Sequence, residues 1–377
     1  MRARLSPEDL PPVPPAVRAT LAETLPPDGL DAEHLDILTL AMSNILRTEV
    51  AEFTYAQIVD GSPTSLEFQL SHRWPPKDHP VREHKTLCPG AREKTCKLRS
   101  EFQITSLRFS PELLRGYQDA QPGTRDFNLR LVEMLVVACH QIAAVLFQLD
   151  KDNEHKKTYE AWVSEQYRLK AAGDERWRHR EPGPPTAFYH RSYHDHEQYP
   201  RGTPDVVGYW AESKIFGGVV LFDRGESETE CKEIWLDPSH SRGPTTMYSP
   251  TVDQLEDLMK FLRSDPGEPA SCPLPIRASK LNRPRFYRYH ATKYFHIFRD
   301  RYDSRLPERF VDPGGCVLWP GDWPEIEDEY FLFAHPMESL QNGTPIDEAA
   351  MAAAKERLKN ITPSSPLWRP IHDERYI

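Results

Sequence analysis

Residues 187–222 read AFYHRSYHDHEQYPRGTPDVVGYWAESKIFGGVVLF. The apolar and aromatic runs in this stretch predict strands over 186–196, 206–211 and 215–222. Glu212, Ser213 and Lys214 form a tight link between the last two. Asp223-Arg224-Gly225 reads as a turn, and 231–236 as a further strand. Sequential strands with short links make an antiparallel meander. Gly217-Gly218 inside the third run predicts a bulge or a close backbone approach. There is no Gly-x-Gly-x-x-Gly fingerprint, Walker A sequence or Gly-x-Ser-x-Gly elbow.

The same stretch holds the densest polar cluster: His190, His194, His196 and Glu197. On a regular strand, side chains alternate with period two, so positions 190, 194 and 196 share one side. Imidazoles so placed are natural ligands for a divalent transition metal. His190, His194 and His196 are therefore the expected metal ligands, and the three with Glu197 the expected catalytic group. Glu197 joins only if the chain kinks before Gln198-Tyr199-Pro200, and Glu212 and His240 are distant further ligands. The His-x-His spacing resembles that of cupins, but the glutamate and glycine of that family do not fall in place. The alternative is a hydrogen-bonded layer of histidine and tyrosine.

Upstream, residues 1–28 are proline-rich and aperiodic, which predicts a disordered arm. Apolar spacing predicts a helix over 31–50, and short strands are expected over 53–58 and 66–70. Residues 73–99 are basic and irregular, with His79, His84, Cys88 and Cys96. The spacing between the two cysteines does not fit a zinc ribbon, so they read as incidental. Two helices follow, over 126–149 and 153–172, with Gly173 as a stop. Glu133 and His140 share a face of the first, as a polar pair or a polar seam. Residues 174–185 (DERWRHREPGPP) have linker composition. The expected organisation is an arm (1–28), a mainly helical part (29–173), a linker (174–185) and an α+β part with an antiparallel sheet (186–377). The fold class is thus α+β, with helices packed on one face of the sheet.

Downstream, a helix is expected over 250–262, with Ser249 as its cap, and another over 344–358. Strands are expected over 316–319 and 330–334, and residues 285–298 read as strand, with helix as the alternative. Residues 283–310 interleave arginine and lysine with tyrosine and phenylalanine. That composition suits phosphate and base contacts, but the net charge of −10 predicts no strong nucleic-acid binding.

Only 38% of the 377 residues are hydrophobic and 36 are proline, so part of the chain is expected to lie outside any core. Cys88, Cys96, Cys139, Cys231, Cys272 and Cys316 are scattered, as reduced thiols are. The N-terminus lacks the apolar run of a signal peptide. These features predict a cytoplasmic or nuclear protein that is not secreted. Residues 131–149 are apolar but interrupted by Glu133, His140, Gln141 and Gln148, which predicts a core helix and no membrane span.

Three runs, DHEQYP (195–200), GYWAE (208–212) and GGVVLFDR (217–224), resemble a stretch found in uncharacterised proteins of filamentous fungi. That resemblance implies an intracellular fungal protein and supplies no activity. Two functions fit the residues. One is a small-molecule-binding protein or enzyme with a cleft beside 187–222, with or without assistance from a metal. The other is a non-catalytic interaction module that uses the proline-rich arm and aromatic surfaces.

Overall fold

Capping side chains start the N-terminal helices. Asp31 accepts the His34 amide and opens α1 (Ala32–Leu46). Thr48 accepts the Ala51 amide and opens α2 (Glu49–Asp60), which ends on Gly61 at φ 89°. Thr64 caps α3 (Ser65–Ser71). Each cap satisfies an amide that the first helical turn leaves without a partner. Residues 53–58 and 66–70 are thus helical and not strands: caps and the glycine stop outweigh their aromatic content.

The computed structural model describes residues 24–368 except 73–74, 151, 179–181, 241–242, 266, 269 and 301–320. The expected arm lies mostly outside this range, but its end does not behave as an arm. Leu25 and Phe109 exchange two backbone hydrogen bonds of 2.8 Å, and Pro27 is buried.

Helices α4 (Ala91–Glu101), α5 (Pro111–Asp119), α6 (Arg125–Leu149) and α7 (Glu154–Ala171) continue the helical part. Gly173, at φ 88°, follows α7 as its sequence position implies. By length and composition α6 is apolar enough to cross a membrane, but 78% of its most apolar window is buried in the protein. Its Phe127, Leu131, Leu135 and Cys139 are fully buried. Each large apolar side chain so placed contributes about 1.5–3 kcal/mol. The Tyr55 hydroxyl donates to the Cys139 carbonyl at 3.3 Å and ties α2 to α6.

Residues 203–216 form helix α8 (Thr203–Phe216), not a strand. Gly202 precedes it, Pro204 and Asp205 sit in its first turn, and Gly217 follows at φ 97°. These are helix punctuation marks. Burial of every residue from Asp205 to Ala211 removes the polar face that would have shown a helical period.

The sheet is antiparallel, in the order β4-β3-β2-β1-β5. Its strands are β1 (Val219–Asp223), β2 (Ile234–Asp237), β3 (Met247–Tyr248), β4 (Arg285–Phe286) and β5 (Ile297–Phe298). Val219 pairs with Asp237 and Phe222 with Ile234. The double glycine, expected inside a strand, instead lies between α8 and β1, where it marks the close backbone approach that was also expected. A Cβ at Gly217 would lie 2.0 Å from the Ile276 carbonyl oxygen, and one at Gly218 2.9 Å from that of Asp237.

Helix α9 (Val252–Leu262) is capped by Thr251 and not by Ser249: Thr251 Oγ1 accepts the Gln254 amide while Gln254 Oε1 accepts that of Thr251. This reciprocal pair is a capping box. Residues 285–298 are mostly helix α10 (Arg288–Phe295) between two short strands. Residues 330–334, expected as a strand, lie in helix α11 (Pro324–Asn342), opened by a proline in its first turn. Helix α12 (Glu348–Leu358) follows and ends as expected, but it starts four residues later, because Asp347 accepts the Ala350 amide and caps it. The expected strand at 316–319 lies outside the described residues.

The fold is α+β, with a helical N-terminal part. The chain divides into two units, Met1–Ile215 with Met259–Cys272, and Phe216–Leu258 with Pro273–Ile377. The division follows residue 215, so residues 174–185 lie inside the first unit.

Candidate metal centre

Residues 187–200 turn where a strand was expected. The Tyr193 amide donates to the His190 carbonyl at 3.0 Å, and His196–Gln198 is one turn of 3-10 helix. The chain reverses, so the period-two alignment of the three imidazoles is lost. His190 is fully buried against Tyr193, and its Nδ1 accepts the Ser192 amide at 3.1 Å. His194 sits 3.5 Å from Asp195 at the surface, and Glu197 is exposed. His190, His194 and His196 form no shared donor group.

Among the described residues, one group of metal-ligating side chains does draw together. Asp60, His84, Cys88 and His155 place one donor atom each within 4.8 Å of all the others. His84 Nε2 lies 3.0 Å from Asp60 Oδ2, and Cys88 Sγ lies 3.3 Å from His155 Nε2. The His84 and His155 rings sit 4.6 Å apart. Asp60 and His84 are buried, while Cys88 stands at the solvent edge.

Helix ends build this site. Asp60 is the last residue of α2, and His155 lies in the first turn of α7. Asn153 joins the two: its Oδ1 accepts the His155 amide at 3.0 Å, and its Nδ2 donates to the Asp60 carbonyl at 3.1 Å. Gly61 makes room for it, because a Cβ there would lie 2.0 Å from Asn153 Oδ1. The loop between α3 and α4 supplies the other two donors. His84 Nδ1 donates to the Pro63 carbonyl at 3.0 Å, which aims Nε2 at Asp60. The Cys88 amide donates to Asp60 Oδ2 at 2.8 Å.

The protonation states follow. Burial disfavours the charged form of His84, but its bonds to Asp60 and the Pro63 carbonyl outweigh that and raise its pKa. Burial likewise opposes ionisation of Asp60, yet the bonds from His84 and Cys88 hold its carboxyl below the usual range. Burial and then Asp60 push the Cys88 thiol up, while burial and then His84 pull His155 down. At a pH below the raised His84 value, the set is one imidazolium, one carboxylate, one thiol and one neutral imidazole.

Chemically, a thiolate, two imidazoles and a carboxylate suit zinc and not calcium or magnesium. Metal bonds of about 2.0–2.3 Å put neighbouring tetrahedral donors roughly 3.3–3.8 Å apart. The pairs here, at 3.0 and 3.3 Å, are close to that spacing.

No family model, curated protein or solved structure matches the chain. The site therefore rests on its own residues. Cys88, read from the sequence as an incidental loop cysteine, stands within this cluster. His84 is four positions from it, but Asp60 and His155 are 28 and 67 positions away in sequence, so no local spacing announces the full set.

A second polar group is fully internal. His140 Nδ1 lies 2.6 Å from Glu212 Oε1, and His140 Nε2 lies 3.1 Å from Asp205 Oδ1. All three side chains are buried, and the Tyr209 ring packs edge-on at 4.7 Å. The partners of His140 thus come from α8, while Glu133 pairs with Arg130 at 2.9 Å. In the basic-aromatic segment, Arg283 binds Asp328 at 2.6 Å and Arg285 is buried against Tyr248. Its residues 301–310 lie outside the described residues.

Proposed function

We propose that this protein binds zinc through Asp60, His84, Cys88 and His155, as a clasp between the end of α2, the loop before α4 and the start of α7. The convergence of four donors within 4.8 Å carries this reading. Four protein ligands make a closed site, and closed zinc sites stabilise structure. The reading is therefore a metal-clasped binding protein, not a hydrolase. Its five described cysteines are thiols, which supports a reducing compartment such as cytoplasm or nucleus.

One observation favours a second reading, metal-assisted chemistry on a small molecule. Asp60 Oδ2 already accepts the Cys88 amide. If the carboxylate keeps that bond, Cys88, His84 and His155 hold the metal and a fourth position stays open.

Cobalt substitution tests both. Titration of Co(II) should give the intense visible bands of a tetrahedral ion and a thiolate charge-transfer band that Cys88→Ser removes. A spectrum insensitive to azide supports the closed clasp, and one that shifts with azide supports the open site. Absence of tetrahedral bands at any cobalt concentration rejects both.

A further inference from the structure

Helix α11 turns its large apolar side chains outward. Tyr330, Phe333, Met337 and Leu340 are 66%, 74%, 55% and 82% exposed. Their spacing alternates three and four, and the half-buried Ile326 extends it by one more step. This is the a/d repeat of a coiled-coil seam. At about 100° per residue the five positions fall within roughly 80° of the helix circumference. The other face holds the helix in place, through buried Asp328 bonded to Arg283 and Arg357 at 2.6 and 2.7 Å. Isolated exposed apolar residues are ordinary, but a contiguous stripe marks a binding surface.

Charge identifies what fits the stripe. Helix α11 contains Glu325, Glu327, Asp328, Glu329 and Glu338, and no lysine or arginine. Glu329 flanks one side of the seam, and Glu327 and Glu338 the other. Lys280 approaches Glu327 at 3.8 Å and offsets one of them. A second copy of α11 would bring acidic flanks against acidic flanks, which disfavours pairing. We propose that the Tyr330–Phe333–Met337–Leu340 seam binds an amphipathic helix of a protein partner whose apolar stripe is bordered by lysine or arginine.

The test uses full-length protein and two labelled helical peptides with leucine at a and d. One carries lysine at e and g, the other glutamate. Anisotropy should show micromolar binding of the lysine peptide and at least tenfold weaker binding of the glutamate peptide. Phe333→Ser with Leu340→Ser, both at exposed positions, should weaken the lysine peptide at least tenfold and leave the melting temperature unchanged. Binding of neither peptide, or equal binding to the double variant, overturns the proposal. So does sedimentation showing a dimer of the native chain that the double variant dissolves, because a second copy would then own the seam.

Discussion

His84 Nε2 and Asp60 Oδ2 lie 3.0 Å apart, and the opposite ring nitrogen of His84 faces the Pro63 carbonyl. Two acceptors on one imidazole require two N–H donors, so the ring carries a proton where the metal would bind. Zinc replaces that proton and the one on Cys88. Net charge is zero before and after: imidazolium with carboxylate, then a dication with carboxylate and thiolate.

The exchange fixes a pH dependence. The pKa of His84 is raised above its ordinary 6.5, so its bond to Asp60 stabilises the metal-free fold fully below that value. The contribution fades as pH rises through the raised value. Asp60 is lowered from 3.8, so its share is present above 3.8 and fades as pH falls through the lowered value. Without metal, the pair should contribute about 1.5–3 kcal/mol between those limits. Zinc affinity has the opposite slope and should climb with pH through the His84 titration. Calorimetry in buffers of different ionisation enthalpy should count about two protons released per zinc below that titration and about one above it. A pH-independent count would remove His84 from the site.

Gly61→Ala should loosen the centre without touching a ligand. The new Cβ would displace Asn153, and with it the first turn of α7 that carries His155. The left-handed φ of 89° adds backbone strain of about 1 kcal/mol. Zinc affinity should fall at least tenfold, measured by competition with a chelating dye. Native affinity in this variant would show that Asn153 does not position His155.

His140→Ala should cost about 3–5 kcal/mol in urea unfolding, because it leaves Asp205 and Glu212 buried without the imidazole between them. Gly208→Ala should also destabilise, since its Cβ would lie 2.5 Å from the His140 ring. A loss below about 1 kcal/mol for His140→Ala would make this group a minor one.

Legibility follows how local each signal is. The sheet around Val219–Asp223 could be read because its short apolar run and the turn residues after it are written within a few positions. Helix α8 could not, since it is buried on all sides and its aromatic and β-branched content imitates a strand. His194 and His196 looked like a site through sequence proximity, and a turn separates them. Asp60 and His155 looked like nothing, because they are far apart in sequence and meet only in the fold, through Asn153 and Cys88. His140 could be singled out as polar in an apolar helix, but not its partners on α8.

Thiol reactivity should sort by burial. Cys88 and Cys272 are exposed and should react first with a disulfide reagent, while Cys139 and Cys231 should wait for unfolding. Burial pushes the Cys139 thiol to about 12. Denatured, unreduced protein should yield all six thiols of the chain. Saturating zinc should slow the modification of Cys88 alone. An equal rate with and without zinc would mean that Cys88 is not a ligand.

The most direct test is elemental analysis of protein purified without a histidine tag and dialysed against metal-free buffer containing traces of zinc. A zinc centre at Asp60, His84, Cys88 and His155 predicts about one zinc per chain, retained in native protein and lost in His84→Ala with His155→Ala. It also predicts no change in zinc content for His194→Ala with His196→Ala. Substoichiometric zinc in the native chain, unaltered by the first pair of substitutions, would contradict it.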